Sequence, residues 1–352
     1  MMFEEKIKLT DENTRQIISE HYDLGDVVSI TPLESGHESD NVKFSTSKGD
    51  YVLKLLFFPR LDIIQNRMQV LELLHEYGIK VPIPIKTKKK NYVAVYDENN
   101  LLVVLTFIPG KPIFRENKEL MYSWMKWFGK QIGIFHNKSK QIPFEKYKQK
   151  MIDGDTIEIS LPPGNWIMER YNERNKLLPN HKKNKEIIEL FEKFLQSVEE
   201  TDFSNLTSGI RHGDMMPANF FKEKEELMGI LDIGGGYSFL MADIARWIMY
   251  TKLYISEVKD SFVDFIIPYL EYSKIPVEEL KTVPILLQST SYVQYFYFAY
   301  RIHNNITQGY DDEEDPIEEN WKGFTGAISF VELIDTLDDN YFYDLAIEVL
   351  KI

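Results

Sequence analysis

His212-Gly213-Asp214-Met215-Met216-Pro217-Ala218-Asn219 is the stretch on which the fold of this 352-residue chain turns. An Asp in a loop, followed five positions later by an Asn, puts two oxygen-bearing side chains on one side of a turn. Just downstream, Asn219-Phe220-Phe221 and residues 227–231 flank the polar turn 222–226, a hairpin signature. The returning apolar strand ends in Asp232. One loop and one hairpin thus deliver a carboxylate, an amide oxygen and a second carboxylate in order. Phosphoryl transfer asks for that set: a carboxylate beside the attacking hydroxyl, and one or two oxygen ligands to hold Mg2+ across nucleotide phosphates. Taken singly, each Asp or Asn could be a turn residue capping its own backbone. Their order on a loop and hairpin favours chemistry, with Asp214 orienting the hydroxyl and taking its proton late, and Asn219 and Asp232 binding metal.

Working outward, the chain before residue 108 reads as strands. Candidates lie at 27–30, 41–45, 51–56, 92–96 and 101–107, with turns at Lys48-Gly49-Asp50 and 97–100. An amphipathic helix is predicted over 8–24. A second, over 62–77, carries Ile63, Ile64, Met68, Val70, Leu71, Leu73 and Leu74 at helical spacing and is ended by Gly78. These residues therefore predict a five-strand sheet with one inserted helix. Ile108-Pro109-Gly110 breaks the chain, and the pattern turns helical, over 117–137, 183–200, 240–257, 259–273 and 286–306. The expected class is α+β and two-lobed, with a β-rich lobe over 1–108 and a mostly helical lobe over 109–352 that holds the loop and hairpin. Seven acidic residues in 311–319 predict a solvated loop.

The 212–245 block resembles the phosphotransferase family that includes aminoglycoside kinases, choline kinases and bacterial homoserine kinases of protein-kinase-like fold. That family's loop reads H-G-D-x-x-x-x-N, present here in full, and its metal-binding strand ends in Asp, here Gly229-Ile230-Leu231-Asp232. Its D-[LI]-A step is matched by Asp243-Ile244-Ala245, and its small-residue helix ending in His by residues 128–136. The likeness spans roughly 25–310.

The resemblance implies several further roles. Lys54, in Tyr51-Val52-Leu53-Lys54, matches the lysine that pairs with nucleotide phosphates. Its apolar neighbours Val52, Leu53, Leu55 and Leu56 predict burial on both sides, and a buried lysine needs an anionic partner. Ser35, Gly36 and Ser39 fall where a nucleotide-covering turn belongs, although an ordinary hairpin loop explains them equally. Residues 103–108 should be the hinge that reads the base. His212 and Asp243 are braces of the loop rather than acid–base groups, and His136 should pack beneath it. Many relatives carry a Glu that pairs with the strand lysine; here that place falls at Arg67, Met68 or Gln69, so Asp62, Glu72 or a neutral Gln69 must serve. Gly234-Gly235-Gly236 allows either backbone approach to phosphate or a tight turn.

Composition narrows the partners. A net charge of −14, from 41 Lys plus Arg against 55 Asp plus Glu, disfavours nucleic acid and anionic membranes. No apolar run reaches the roughly 18–20 residues that cross a bilayer. The first twenty residues, charged throughout, predict no secretory leader. With 0 Cys, disulfides and thiolate sites are excluded, which fits a cytoplasmic location. The sequence sets no oligomeric state. Only ten residues separate Asp232 from Asp243, and no Ala-Pro-Glu segment follows, so a protein acceptor is disfavoured. The expected reaction moves the γ-phosphoryl group of ATP or GTP, with Mg2+, to a small-molecule hydroxyl. An aminoglycoside-type acceptor suits the acidic charge; a homoserine- or choline-type amino alcohol is the alternative. A reading of another class is a non-catalytic nucleotide- or ligand-binding relative. The run Tyr292, Tyr295, Phe296, Tyr297, Phe298 and Tyr300 is expected in the core rather than lining the acceptor.

Overall fold

The computed structural model describes residues 8–33, 39–57, 60–113, 117–151, 162–253, 259–307 and 315–350. Its strands in chain order are β1 (Val27–Pro32), β2 (Ser39–Thr46), β3 (Gly49–Leu56), β4 (Pro84–Ile85), β5 (Val93–Val95), β6 (Leu101–Thr106), β7 (Ser208–Ile210), β8 (Phe220–Glu223), β9 (Glu226–Ile230) and β10 (Tyr237–Phe239). The helices are α1 (Asp11–His21), α2 (Leu61–Glu76), α3 (Lys118–Ser123), α4 (Met125–Ser139), α5 (Phe144–Lys150), α6 (Asn165–Asn172), α7 (Arg174–Leu177), α8 (Asn184–Glu200), α9 (Met241–Thr251), α10 (Lys259–Ser273), α11 (Val283–His303), α12 (Pro316–Ile334) and α13 (Tyr341–Leu350). The chain divides into two units. The first holds Met1–Lys111, Glu145–Asp155 and Phe221–Leu231, and the second holds the remainder.

In the first unit, antiparallel strands run in the order β1-β2-β3-β6-β4, with β5 also pairing β6. The sheet thus has six strands where five were predicted. The added strand, β4, falls in Val81-Pro82-Ile83-Pro84-Ile85, whose prolines hide the strand signal. Along β3 the pleat sends alternate side chains to opposite faces. Leu53 and Leu55 enter the core with Phe44, Leu102, Val104 and the α1 residues Ile17 and Ile18. Lys54 points to the other face, between Asn41 of β2 and Val103 of β6, and is half-buried. The expected burial of this lysine by apolar neighbours on both sides is therefore corrected, because half of those neighbours lie across the sheet.

The helix α2 matches its predicted span to within a residue, whereas α1 is shorter than 8–24. The break at Ile108-Pro109-Gly110 is a close backbone approach. Gly110 has φ +98°, and a Cβ there would stand 2.7 Å from the Lys222 carbonyl. Lys111 and Lys222 exchange backbone hydrogen bonds of 3.0 and 3.1 Å, and Ile230 N donates to Lys80 O at 2.9 Å. The β8–β9 hairpin is held to this unit by those bonds.

The second unit is helical apart from β7 and β10, which pair antiparallel. Trp124 breaks the predicted 117–137 helix into α3 and α4. Helices α8, α10 and α11 lie where predicted, and α9 stops at Thr251 rather than 257, with Lys252 left-handed at its C-cap. The short α6 and α7 and the C-terminal α12 and α13 were not foreseen. Of the acidic run, 311–314 lie outside the described residues. Asp315 caps α12 by accepting from Ile317 N and Glu318 N at 2.9 and 3.4 Å. The end of that run is a helix start rather than a solvated loop: Asp before Pro, with acids in the first turn, is an N-terminal signal.

Helices α4 and α10 touch through glycine. A Cβ on Gly129 would stand 2.0 Å from Phe265 O, and one on Gly133 would stand 2.8 Å from Tyr269 O. The aromatic run on α11 divides, with Tyr292, Tyr295 and Phe296 buried and Tyr297 44% exposed. Among the described residues no helix is long and apolar enough to cross a membrane.

Candidate functional site

The loop at 211–214 leaves β7 and is fastened by the glycine run that precedes β10. Arg211 N donates to Gly236 O at 2.8 Å, and Gly234 N donates to His212 O at 2.6 Å. A Cβ on Gly234 would stand 3.2 Å from that oxygen, and Gly213 itself has φ +82°. Gly234 therefore brings backbone against the loop at a distance a side chain would disturb.

From below, Asp243 holds the same loop. Its Oδ2 accepts from His212 N at 2.7 Å and its Oδ1 from Gly213 N at 2.9 Å, although it lies in the first turn of α9. The residue is fully buried, which by itself favours the neutral acid. The His136 hydrogen bond and the charge of Arg211 outweigh that burial and hold its pKa down at about 2. His136 Nε2 is 3.4 Å from Asp243 Oδ2, and its Nδ1 is 3.0 Å from the Tyr269 hydroxyl. An ionised carboxylate only accepts, so the ring proton sits on Nε2. The glycine contacts of α4 with α10 bring Tyr269 within reach of that ring. His212 is fully buried beside Phe135 and Phe220, and its Nδ1 accepts from Asp214 N at 3.2 Å.

Asp214 stands on this frame with its side chain 42% exposed. The Tyr250 hydroxyl donates to its Oδ1 at 2.7 Å, and Arg246 Nε lies 3.5 Å from the same oxygen. Oδ2 has no hydrogen-bond or ion-pair partner among the described residues. Asn219 is buried, and its Nδ2 donates to Asp214 O at 2.9 Å. That bond fixes the amide so that its Oδ1 accepts no hydrogen bond among the described residues. Asp232, two residues before Gly234, has φ +53°. A non-glycine residue in the left-handed region is uncommon, and such strain concentrates at functional sites.

Sequence reasoning missed Tyr250, Arg246 and Arg211. The first two had a signal: Asp243, Arg246 and Tyr250 are spaced by three and four, which places them on one stripe of α9. Burial pushes the Tyr250 phenol up, so it remains a donor at neutral pH.

On the first unit, Ser35 and Gly36 lie outside the described residues. Ser39 opens β2, is buried, and its Oγ donates to Asn41 Oδ1 at 3.1 Å. Glu72 pairs with Lys86 at 3.2 Å and Lys150 at 3.4 Å, and Asp62 with Arg60 at 3.1 Å. The lysines that reach Glu72 come from the segment after β4 and from α5. Among the described residues no group of three or more His, Cys, Asp or Glu could hold a metal.

Residues 29–254 match the phosphotransferase enzyme family (APH). Homoserine kinases of Burkholderia mallei and Burkholderia thailandensis are 34% identical over 65 residues, 18% of this chain and 20% of theirs. The match thus spans about a fifth of the length of those curated relatives. Among solved structures, the amicoumacin kinase hAmiN in complex with AMP-PNP, Ca2+ and Ami is 16% identical, with a TM-score of 0.67 over 94% of this chain and 97% of that one. A putative aminoglycoside phosphotransferase from Ralstonia eutropha JMP134 is 11% identical, with a TM-score of 0.64 over 96% and 98%. Spectinomycin phosphotransferase with ADP and spectinomycin is 13% identical, with a TM-score of 0.58 over 98% and 99%. These likenesses show a protein-kinase-like fold, as the order of sheet, loop, hairpin and helices led one to expect. With the family match covering well over half of its length, this chain belongs to the phosphotransferase enzyme family.

Proposed function

We propose that this protein is a small-molecule kinase that moves the γ-phosphoryl group of ATP or GTP to a substrate hydroxyl. The observation that carries the reading is Asp214: one carboxylate oxygen is held by Tyr250 and Arg246, and the other is left open beside a half-exposed surface. A hydroxyl donating to Oδ2 is aligned for attack. As the new bond from the acceptor oxygen to phosphorus forms, the bond from phosphorus to the β–γ bridging oxygen breaks, and the hydroxyl proton passes to Oδ2. A non-catalytic relative would have no use for a carboxylate so placed.

The donor set fits Mg2+. Asn219 offers an amide oxygen with no other partner among the described residues, Asp232 offers a carboxylate on a strained backbone, and an all-oxygen set of one or two protein ligands suits this ion. Bound there, the ion would neutralise charge on the nucleotide phosphates. We assign Lys54, with Ser39 and the backbone of Ser35 and Gly36, to the nucleotide. His212 and Asp243 serve the site as braces. The first unit carries the nucleotide-binding residues and the second carries the acid–base group, and we place the protein in the cytoplasm on its cysteine-free sequence.

The reading at family level is aminoglycoside-phosphotransferase-like. An amino-alcohol acceptor of the homoserine or choline type is the second reading. It is favoured by the 65-residue homoserine kinase match and by the fate of the acidic run: Glu318 and Glu319 pair with Lys322 at 3.1 and 2.6 Å rather than standing ready for a polycation. The test is ATP and GTP turnover with Mg2+ over aminoglycosides, amino alcohols and sugars. Tight nucleotide binding with no turnover of any acceptor would instead favour the binding-module reading.

A further inference from the structure

Glu279 is a buried carboxylate, 6% exposed, on a 3-10 helix that runs over Val277–Thr282 and leads into α11. A charge taken out of water needs hydrogen bonds. Both of its oxygens accept from Thr207 N at 3.1 Å, and Oε1 also accepts from the Thr207 hydroxyl at 2.6 Å. It forms no ion pair among the described residues; Lys140, whose charge it feels, donates to Ser273 O and Lys274 O at 2.7 and 3.0 Å. The carboxylate is thus spent on one residue, and that residue stands where two arms of the site begin. From Thr207 the chain runs through β7 into Arg211, His212, Gly213 and Asp214. The Thr207 carbonyl accepts from Leu240 N at 3.0 Å, and Leu240 is the N-cap of α9, the helix that carries Asp243, Arg246 and Tyr250. Burial pushes the Glu279 carboxyl up, so the folded chain binds its proton more tightly than the unfolded one. Ionisation above that range costs stability, and stability alone does not call for the charge.

We propose that Glu279 and Thr207 are positioning residues for phosphoryl transfer, fixing the point from which β7 carries Asp214 and α9 carries its two holders, Arg246 and Tyr250. This rests on the kinase reading above and deepens it. The alignment of Asp214 with its holders is set from both ends of β7. At the near end Asp243 of α9 accepts the His212 and Gly213 amides. At the far end Thr207 joins β7 to the start of α9, and the three hydrogen bonds to Glu279 keep Thr207 from turning. The strand between is only Ser208–Ile210, paired along its whole length with β10. So short and fully paired a strand passes a shift of its first residue on to its last, and an error at Thr207 arrives at Asp214. Misplacement of a reacting group by about 1 Å can cost on the order of 100-fold in rate, even when the cause lies far from the chemistry.

The test uses the full chain with ATP and Mg2+, and L-homoserine, choline, spectinomycin and glucose as acceptors. Glu279→Gln keeps the shape, loses the charge and turns one acceptor into a donor that faces Thr207 N. Its kcat should fall about fivefold or more, with KM for ATP within about twofold and a melt close to wild type. Thr207→Val removes the hydroxyl and should lose kcat in the same way. Thr207→Ser keeps the hydroxyl and should stay within about twofold of wild type. Glu279→Gln combined with Thr207→Val should cost less than the product of the two separate effects, because both break one contact. Unchanged kcat in both single variants overturns the proposal. A Ser variant as slow as the Val variant also overturns it, and so does a loss that lies in KM for ATP alone. If Glu279→Gln lowers the melt steeply, the Val and Ser variants of Thr207 decide. Failure of the underlying kinase reading has a different signature: the wild type turns over none of the acceptors. Amide hydrogen exchange over residues 207–214 then decides. Faster exchange in Glu279→Gln than in wild type supports the hold on the strand, and equal exchange refutes it.

Discussion

Replacing Tyr250 by Phe removes a single hydroxyl and keeps the ring, so it isolates the hold on Asp214. The lost bond is the 2.7 Å donation to Oδ1. Hydrogen bonds to charged groups contribute about 1.5–3 kcal/mol net. The Asp214 side chain is 42% exposed, so water partly replaces the phenol, and about 1–1.4 kcal/mol is the expected loss. If the bond acts by aiming Oδ2 at the acceptor, that loss lies in the transition state, and kcat falls about fivefold to tenfold. KM for the nucleotide should not change, because the hydroxyl meets the acid–base carboxylate and Arg246, which belongs to the same hold. Arg246 still holds the same oxygen in the single variant. Tyr250→Phe combined with Arg246→Gln should therefore cost more in kcat than the product of the two separate effects. The assay is steady-state ADP release with nucleotide and acceptor varied in turn, run beside a thermal melt to exclude unfolding. A kcat within about twofold of wild type in both Tyr250→Phe and the double variant would refute the idea that Oδ1 is a handle.

Asp214→Ala should leave the melt and nucleotide affinity nearly intact while cutting turnover by about 10²–10⁴-fold, as for other lost acid–base groups; nucleotide titration and ADP release check both halves. Asp232→Ala should abolish Mg2+-dependent nucleotide binding while metal-free binding persists, which calorimetry with and without Mg2+ reads directly. Asp243 titrates lower in the folded chain, at about 2 against an ordinary 3.8, so the unfolded chain binds its proton more readily. Its contribution of about 2 kcal/mol is whole above pH 4 and lost as pH falls toward 2, and denaturant melts of wild type and Asp243→Asn should converge in that window. Gly129→Ala puts a Cβ 2.0 Å from Phe265 O, so α4 and α10 must separate. A stability loss of about 1–3 kcal/mol in urea is expected, with kcat also reduced as His136 and Tyr269 part.

How much could be read in advance depended on how local each signal was. The catalytic-loop motif, the hairpin after it and α2 announce themselves through residues within a few positions of one another, where turn chemistry and periodicity act. The two-residue β4 did not, because its pairing with β6 is non-local and its prolines argue against a strand. The short helices α6 and α7 are below the length at which a helical period stands out. Lys54 was placed on the right strand, but the sense of its burial required knowing which face of the sheet meets α1.

Residue order alone determined which groups would carry the chemistry: Asp214, Asn219 and Asp232 are set by loop and hairpin spacing within 19 residues. Tertiary structure decided how they are held and what surrounds them. Tyr250 and Arg246 reach Asp214 across 36 and 32 positions because α9 lies beneath the loop, pinned there by Asp243 accepting the His212 and Gly213 amides. Arg211 is an ordinary loop residue in the sequence, and only folding buries it within reach of the Asp243 charge. Spacing along the chain reports what a turn or a helix face can place together, whereas the desolvation that makes a charge demand a partner exists only once distant elements have closed over it.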